Sequence, residues 1–248
     1  MLNKLQNYIF HYFNLGKVLV TTGYPLENGQ YSEVIDLVHP NATCELLPNF
    51  PVPMYSAFGG LINNNLPVIC GLPNNSIEAN CYTLGENFVL TKLIEPRYDG
   101  ASVVLKNEIL WITGGKSKSL AGGTVKTTEF VRLNQEMADS GPDLPMLFGR
   151  HCMAKINEDL VIIIGGDYSY SETVLVEVSR NFTMKSGPQM NFDRWNHACG
   201  SFTSNGITVV IVAGGYDLSS TNLSTELWYL NPGEDWRWIE GIQFCVNT

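Results

Sequence analysis

Cationic and aromatic side chains in predicted loops are the residues of this sequence best suited to binding chemistry. They are three arginines, two lysines and two tyrosines: Arg97, Arg150, Arg194, Lys116, Lys118, Tyr168 and Tyr170. Guanidinium groups pair with carboxylates through two parallel hydrogen bonds, and arginine and aromatic residues are the usual anchors of interfaces. These side chains predict a surface that binds a protein or an acidic peptide. In the alternative, the arginines belong to a repeated pattern and tie neighbouring loops together.

Two histidines stand at matching places in the sequence, but they do not predict a metal site. His151 and His197 each precede a small residue, whereas Ser56 and Gly100 hold the corresponding places elsewhere. Two ligands make a poor metal site, so we expect no metal and no cofactor. The sequence also lacks G-x-S-x-G and H-E-x-x-H motifs, and we expect a protein that is not an enzyme.

The cysteines and the glycosylation sequons leave the cellular compartment open. Six cysteines are scattered without a C-x-x-C pair: Cys44, Cys70, Cys81, Cys152, Cys199 and Cys245. Both free buried thiols and at least one disulfide are compatible with this spacing. Four N-x-S/T sequons begin at Asn41, Asn74, Asn181 and Asn222. They matter only if the protein is secreted.

A short apolar run that ends in glycine recurs along the chain and predicts the elements that position these side chains. Leu160 to Gly166 reads L-V-I-I-I-G-G, and related runs end at Gly23, at Gly71, at Gly114-Gly115 and at Gly214-Gly215. The last glycines of the five copies, including Gly165-Gly166, are 48, 44, 51 and 49 residues apart. A period near fifty residues is typical of a repeat architecture.

Each repeat reads as four short strands separated by turn signals. The second strand is apolar on both faces, which is typical of a strand with sheets packed on both sides. A third strand with a Ser-Glu or Thr-Glu start recurs at Ser32-Glu33, Thr128-Glu129 and Thr225-Glu226. We therefore predict an all-β single domain over residues 1–248, with repeats near 8–49, 54–94, 97–140, 150–186 and 194–240.

Composition excludes several classes of partner. The charged fraction is only 16% and the net charge is −9, so we expect no nucleic-acid partner, because phosphate backbones require a basic face. The longest apolar runs are far shorter than a membrane span. The first residues have no apolar core followed by a cleavage site, so we expect them to form the first strand of repeat one. We expect a cytoplasmic protein, or an extracellular one if a signal peptide precedes this sequence.

These repeats resemble the kelch-repeat β-propeller family over almost the whole chain. The resemblance rests on the apolar runs with glycine pairs and on the R-x-x-x-A approach at Arg97 to Ala101 and at Arg194 to Ala198. Repeats one and two depart from the family pattern, because Gly23 and Gly71 stand without a second glycine. The resemblance implies a propeller of about five four-stranded blades, either a closed five-bladed ring or part of a six-bladed one.

The family resemblance also implies a function. In similar kelch adaptors the loops after the glycine pairs and the loops between blades share one face, and that face binds short peptides. We therefore expect a non-catalytic interaction module that binds a protein or a peptide through this face. The alternatives are a secreted or cell-surface glycosylated propeller that recognises a protein or a glycan, and a propeller enzyme with a site at the channel mouth. The oligomeric state is left open.

Overall fold

The described part of the chain is all-β, as the sequence predicts. The structure is a computed structural model that describes residues 9–13, 17–21, 32–36, 38–39, 45–54, 56–63, 66–71, 79–84, 89–217, 225–230 and 238–240. Every regular element in these ranges is a strand, apart from a 3-10 turn at Val178–Arg180. None of these ranges contains a helix with the length and apolar character that crossing a bilayer requires.

The chain divides into two compact units, and the first contains three four-stranded sheets. Unit 1 comprises Met1–Gly123 and Thr127–Gly141. Its three four-stranded antiparallel sheets run in chain order. Sheet 1 contains β1 (Ile9–Phe13), β2 (Lys17–Thr21), β3 (Ser32–Asp36) and β4 (Glu45–Leu46). Sheet 2 contains β5 (Phe58–Ile62), β6 (Leu66–Gly71), β7 (Asn80–Thr83) and β8 (Thr91–Lys92). The short strand β9 (Arg97–Tyr98) precedes sheet 3. Sheet 3 contains β10 (Ala101–Leu105), β11 (Ile109–Thr113), β14 (Thr128–Arg132) and β15 (Asp139–Ser140). The long loop between β11 and β14 contains two more short strands, β12 (Lys116–Ser117) and β13 (Gly123–Thr124).

The second unit repeats this arrangement twice. Unit 2 comprises Thr124–Lys126 and Pro142–Thr248. Sheet 4 contains β16 (Cys152–Asn157), β17 (Leu160–Gly166), β18 (Tyr170–Glu177) and β19 (Thr183–Ser186). Sheet 5 contains β20 (Ala198–Ser204), β21 (Ile207–Ala213), β22 (Glu226–Leu230) and β23 (Trp238–Glu240). Each of the five predicted repeats therefore contains one four-stranded sheet.

The cores lie between neighbouring sheets within each unit. In unit 2, Ile162 and Ile164 of β17 pack in one buried cluster with Val210, Val212 and Trp228 of sheet 5. Val161 and Ile163 point to the other face of β17 and are also fully buried. This double burial explains why β17 lacks the polar alternation of a strand with one solvated face. In unit 1 one cluster likewise joins sheets 2 and 3.

Strand pairing defines the equivalent positions of the repeats and corrects one expected alignment. Ala101 pairs with Thr113, Cys152 with Ile164 and Ala198 with Ala213, each two residues before the last glycine. In repeat two the corresponding pair is Phe58 with Cys70. Counting 14 residues back from the last glycine aligns Ala57 with Ala101, but the pairing shows that Phe58 matches Ala101. Gly71 matches the first glycine of the other pairs, since it follows Cys70 directly.

Two disulfides are present among the described cysteines. Cys70 and Cys81 face each other on β6 and β7, with Cα atoms 4.0 Å apart. Cys152 on β16 is joined to Cys199 on β20 and connects sheets 4 and 5. Of the two alternatives that the sequence left open, the structure has disulfides at these four positions. Cys44 and Cys245 lie outside the described residues.

Candidate functional site

Arg97 is a buried structural residue in unit 1. Its side chain is inaccessible to solvent and forms an ion pair with Glu129, whose Oε1 lies 2.7 Å from Nη2. Nη1 donates to the carbonyls of Gly114 and Thr127 at 2.8 Å each. The Glu129 carboxylate in turn accepts the backbone N–H of Ile94 at 2.6 Å. The Arg97 guanidinium is therefore held in the interior by this repeat's own backbone.

Arg194 repeats this network in unit 2. It is also fully buried and lies 2.6 Å from Oε1 of Glu226, while its Nη1 donates to Gly214 at 2.9 Å. Glu226 accepts the backbone N–H of Asn191 at 2.7 Å. The equivalence of the two networks, residue by residue, favours the structural alternative for both arginines. Neither buried guanidinium is placed to meet a ligand.

Repeats two and four fill the same positions with apolar side chains. In repeat four, the register places Phe148 where the arginine stands and Val174 where the glutamate stands, and both are buried. In repeat two, Met54 and Tyr82 hold these places and belong to one buried cluster. Within repeats two to five, the arginine and the glutamate are thus present together or replaced together. A buried ion pair and a well-packed apolar pair of similar volume are of similar stability, which explains how both persist in one fold.

Arg150 differs from the other two predicted arginines, because it lies two residues further along its repeat. Its side chain is half-exposed, and its Nε lies 3.8 Å from a carboxylate oxygen of Asp167. Its φ of 53° is a property of the position, since Ser56, Asp99 and Asn196 have φ values of 50°, 55° and 52° at the equivalent places. The Asn196 N–H donates to the Arg150 carbonyl at 2.9 Å. The cationic side chain of Arg150 thus extends from a position at which the backbone is left-handed in repeats two to five.

The two predicted lysines lie in the long loop of unit 1. Lys116 is half-buried, with its Nζ 3.9 Å from a carboxylate oxygen of Asp99, and it pairs with Tyr98 through β12 and β9. Lys118 is exposed. Both residues belong to unit 1, whereas Arg150 and the predicted tyrosines belong to unit 2.

Tyr168 and Tyr170 form an exposed aromatic loop in unit 2. Their side chains are 67% and 38% exposed, and their φ values are 69° and 42°. Positive φ is uncommon for any residue other than glycine, and for a bulky side chain it is an outlier. The Tyr170 ring meets the ring of Trp195 edge-on, with centroids 6.4 Å apart. The backbone N–H of Arg194 donates to the Tyr170 carbonyl at 3.3 Å.

This loop lies beside the approach to the first strand within the same unit. Asp167 pairs with Gly149, which brings the tyrosine loop next to Arg150. Trp195 pairs in the same way with Tyr216, the residue that follows the glycine pair of repeat five. We name Arg150, Tyr168, Tyr170, Trp195 and Tyr216 the aromatic loop surface. In unit 2, loops after glycine pairs therefore lie beside loops that precede first strands.

Trp195 and Tyr216 were not singled out in the sequence. The sequence did contain a signal for Trp195, because an aromatic residue directly follows the arginine in both R-x-x-x-A segments. These residues are Tyr98 and Trp195. Tyr216 carried no signal of its own until the pairing with Trp195 was known.

The glycine pairs that the structure describes have backbone conformations that other residues rarely adopt. Gly166 has a φ of 103°, and a Cβ built on it would overlap the Gly149 carbonyl and lie 2.8 Å from Cβ of His151. The pairs at Gly114-Gly115 and Gly214-Gly215 also have positive φ. Gly23 lies outside the described residues.

The two matching histidines are buried beside the glycine pairs. No group of three or more metal-ligating side chains occurs in the part of the chain that the structure describes. Burial, reinforced by the positive charge of Arg194, lowers the pKa of His197 from 6.5 to about 3. His197 is therefore neutral at physiological pH and packs as an uncharged ring.

Acidification should destabilise the protein through His197. Between pH 6.5 and 3 the unfolded chain binds a proton at this histidine that the folded chain does not bind. The free energy of unfolding should thus fall by about 1.4 kcal/mol per pH unit on acidification below 6.5. Urea unfolding at pH 7, 6, 5 and 4 measures this slope, and His197→Asn should flatten it. The exposed residue His39 provides the control substitution His39→Asn, and parallel curves for wild type and His197→Asn would contradict the assignment.

Comparison with known proteins supports the fold and leaves the function open. No family model matches the chain, and no curated protein matches it. A solved structure described as "Structure of YjhT" is similar, with a TM-score of 0.74 over 98% of this chain and 85% of that chain. The two sequences are 13% identical. At this identity the likeness concerns the fold alone, and the chain shares the fold of that structure.

Proposed function

We propose that the five sheets are blades of a kelch-type β-propeller that spans the chain as a single domain. Support comes from one four-stranded sheet per fifty-residue repeat, from β17 being buried on both faces, and from glycine pairs at equivalent positions. Radial stacking of such sheets buries the faces that a single sheet would expose. The paired Arg–Glu networks of repeats three and five further indicate copies of one structural unit.

The domain works as a non-catalytic module that binds a peptide segment of a protein on the aromatic loop surface. The observation that carries this proposal is the backbone of Tyr168 and Tyr170, which holds two bulky exposed residues at positive φ. Such conformations cost about 1 to 3 kcal/mol each and cluster at binding sites. Tyrosine and tryptophan also supply large, rigid contact areas in interfaces.

The peptide is acidic on this proposal. Arg150 places a half-exposed guanidinium next to the tyrosine loop, with its Nε 3.8 Å from a carboxylate oxygen of Asp167. A guanidinium group can bind a ligand carboxylate through two parallel hydrogen bonds. Arg97 and Arg194 are not part of this binding surface, because both are buried.

Selection from a random peptide library displayed on phage tests the proposal. We expect the wild-type chain to enrich acidic peptides, and Tyr168→Ala with Tyr170→Ala to weaken their binding at least about tenfold. Tyr229→Ala is the matched control, because Tyr229 is 39% exposed, nearly as much as Tyr170, but lies on β22. Arg150→Asn should weaken binding while the fold is kept, since asparagine accepts a left-handed backbone. Enriched peptides that bind the tyrosine variant as well as wild type would overturn the proposal.

A second candidate is the same binding role outside the cytoplasm, and the two disulfides favour it. Disulfides form and persist in oxidising compartments and are rare in the cytosol. We therefore propose a secretory location in place of the cytoplasmic location expected from the sequence. Alkylation of free thiols before and after reduction, on protein isolated from the cells that make it, tests this. Protected Cys70, Cys81, Cys152 and Cys199 would support it, and four freely alkylated thiols would overturn it.

A further inference from the structure

The sequon Asn181-Phe182-Thr183 forms the turn between β18 and β19 in sheet 4. Asn181 follows the 3-10 turn at Val178–Arg180 and has a left-handed backbone, with φ 54° and ψ 45°. Asparagine is one of the few residues that adopt this conformation readily. Its side chain is exposed and has no hydrogen bond with any residue that the structure describes. The amide nitrogen is thus presented to solvent at the tip of a tight turn.

We propose that Asn181 is an N-glycosylation site. In this transfer the Asn181 Nδ2 loses a proton and forms a bond to C1 of an oligosaccharide, while the bond from C1 to its lipid pyrophosphate carrier breaks. The acceptor sequence requires a hydroxyl residue two positions on. Thr183 supplies it from an exposed position, and its Oγ1 donates to the Arg180 carbonyl at 2.7 Å within the same turn. This inference rests on the proposed secretory location, because the transfer takes place in that pathway.

The position of the turn keeps a glycan away from the aromatic loop surface. β18 begins at Tyr170 and runs eight residues to Glu177, the opposite end of sheet 4. At about 3.3 Å for each of the steps between these residues, the two ends of β18 lie about 23 Å apart, with the tyrosine loop at one end and the sequon beyond the other. A glycan at Asn181 therefore leaves the proposed peptide surface uncovered.

The surroundings of the turn are suited to a hydrated glycan. An open hollow next to it is lined almost entirely by polar and charged side chains, including Glu158, Asp159, Arg180 and Lys185. Glu177 makes ion pairs with Arg180 and Lys185 there, at 3.0 and 2.7 Å. A sugar chain above this end of the sheet covers charged surface that already faces water and hides no apolar surface that a partner protein needs.

Site-specific mass spectrometry tests the proposal on the full chain produced in its own cells. Peptide-N-glycosidase in ¹⁸O-labelled water converts a glycosylated asparagine into labelled aspartate, and trypsin then releases the peptide from Asn181 to Lys185. We expect label at Asn181 in wild type and in Thr183→Ser, which keeps the sequon. We expect none in Thr183→Val, nor in Asn181→Gly, which suits the left-handed turn but removes the acceptor.

Disulfide mapping of the same sample separates this proposal from the one on which it rests. Unlabelled Asn181 in wild type with the Cys152–Cys199 disulfide formed would overturn the glycosylation site and leave the secretory location standing. Unlabelled Asn181 with free Cys152 and Cys199 would overturn both. Label at Asn181 in wild type and Thr183→Ser, absent from the two other variants, supports the site.

Discussion

Gly166→Val should cost the protein about 5 kcal/mol of stability, which is enough to unfold many single domains. Two effects add at this position. Gly166 has a φ of 103°, which a β-branched residue does not adopt without strain. Its new Cβ would also overlap the Gly149 carbonyl and crowd Cβ of His151 at 2.8 Å. These neighbours cannot give way freely, because the Asp167 N–H binds the same carbonyl at 2.7 Å.

Gly206 provides the control that separates backbone strain from crowding. It also has positive φ, at 77°, but a Cβ there would meet no atom within 4 Å. Gly206→Ala should therefore cost about 1 to 2 kcal/mol, the price of a left-handed alanine alone. Gly166→Ala should cost clearly more, and it keeps the comparison measurable if the valine variant does not fold. Equal midpoints of urea unfolding for the two alanine variants would contradict the crowding argument.

The positions of the sheets were predictable because burial leaves a regular trace in the sequence. β17 is an uninterrupted apolar run because both of its faces are buried. The glycine pair at its end marks a backbone conformation with positive φ in which a Cβ atom would clash with neighbouring atoms. The spacing of these runs then located one sheet in each repeat. The one-residue shift at Phe58 could not be seen, because Gly71 lacks the second glycine that defines the register elsewhere.

The role of the arginines was harder to predict, because arginine is normally a surface residue. Arg97 and Arg194 are buried only since each has a glutamate 32 residues further along the chain. The signal was present in the sequence as a correlation: repeat four lacks the arginine, with Phe148 in its place, and also lacks the glutamate, with Val174 in its place. The binding role of Tyr168 and Tyr170 stays a prediction, because binding to a partner does not produce a repeated pattern in the sequence.

The disulfides illustrate a different limit. Cys70 and Cys81 are 11 residues apart, and only the exact register of β6 and β7 brings them face to face. Cys152 and Cys199 are 47 residues apart and lie on first strands of successive repeats. Their near-equivalence in the repeat was visible, but the contact between the two strands depends on how sheets 4 and 5 pack.

Arg194→Phe alone should destabilise the protein by about 4 kcal/mol, because it leaves the Glu226 carboxylate buried without its cation. Glu226 is inaccessible to solvent, and the remaining partners of the carboxylate are the backbone and side-chain N–H groups of Asn191. The double variant Arg194→Phe with Glu226→Val copies the pair found in repeat four. We expect it to lose less stability than the single variant, measured by urea unfolding in a double-mutant cycle. Additive losses would show that the two side chains act independently.

A third position explains what the double variant still lacks. Removal of Glu226 deprives the Asn191 N–H of its acceptor in a part-buried hydrogen bond, at a cost of about 1 kcal/mol. Both repeats that lack the glutamate carry a proline at the equivalent place, as Pro51 and Pro145, three residues before Met54 and Phe148. Proline has no N–H to satisfy.

Asn191→Pro should therefore change sign with its background. In the wild-type protein it removes a hydrogen bond to Glu226 and should destabilise, whereas in the double variant it removes a part-buried donor that has lost its acceptor and should stabilise. Such a reversal would show that the arginine, the glutamate and the N–H group form one unit that this fold exchanges whole between repeats. Destabilisation of similar size in both backgrounds would instead mean that position 191 is constrained by its backbone conformation, and the exchange would then concern the ion pair alone.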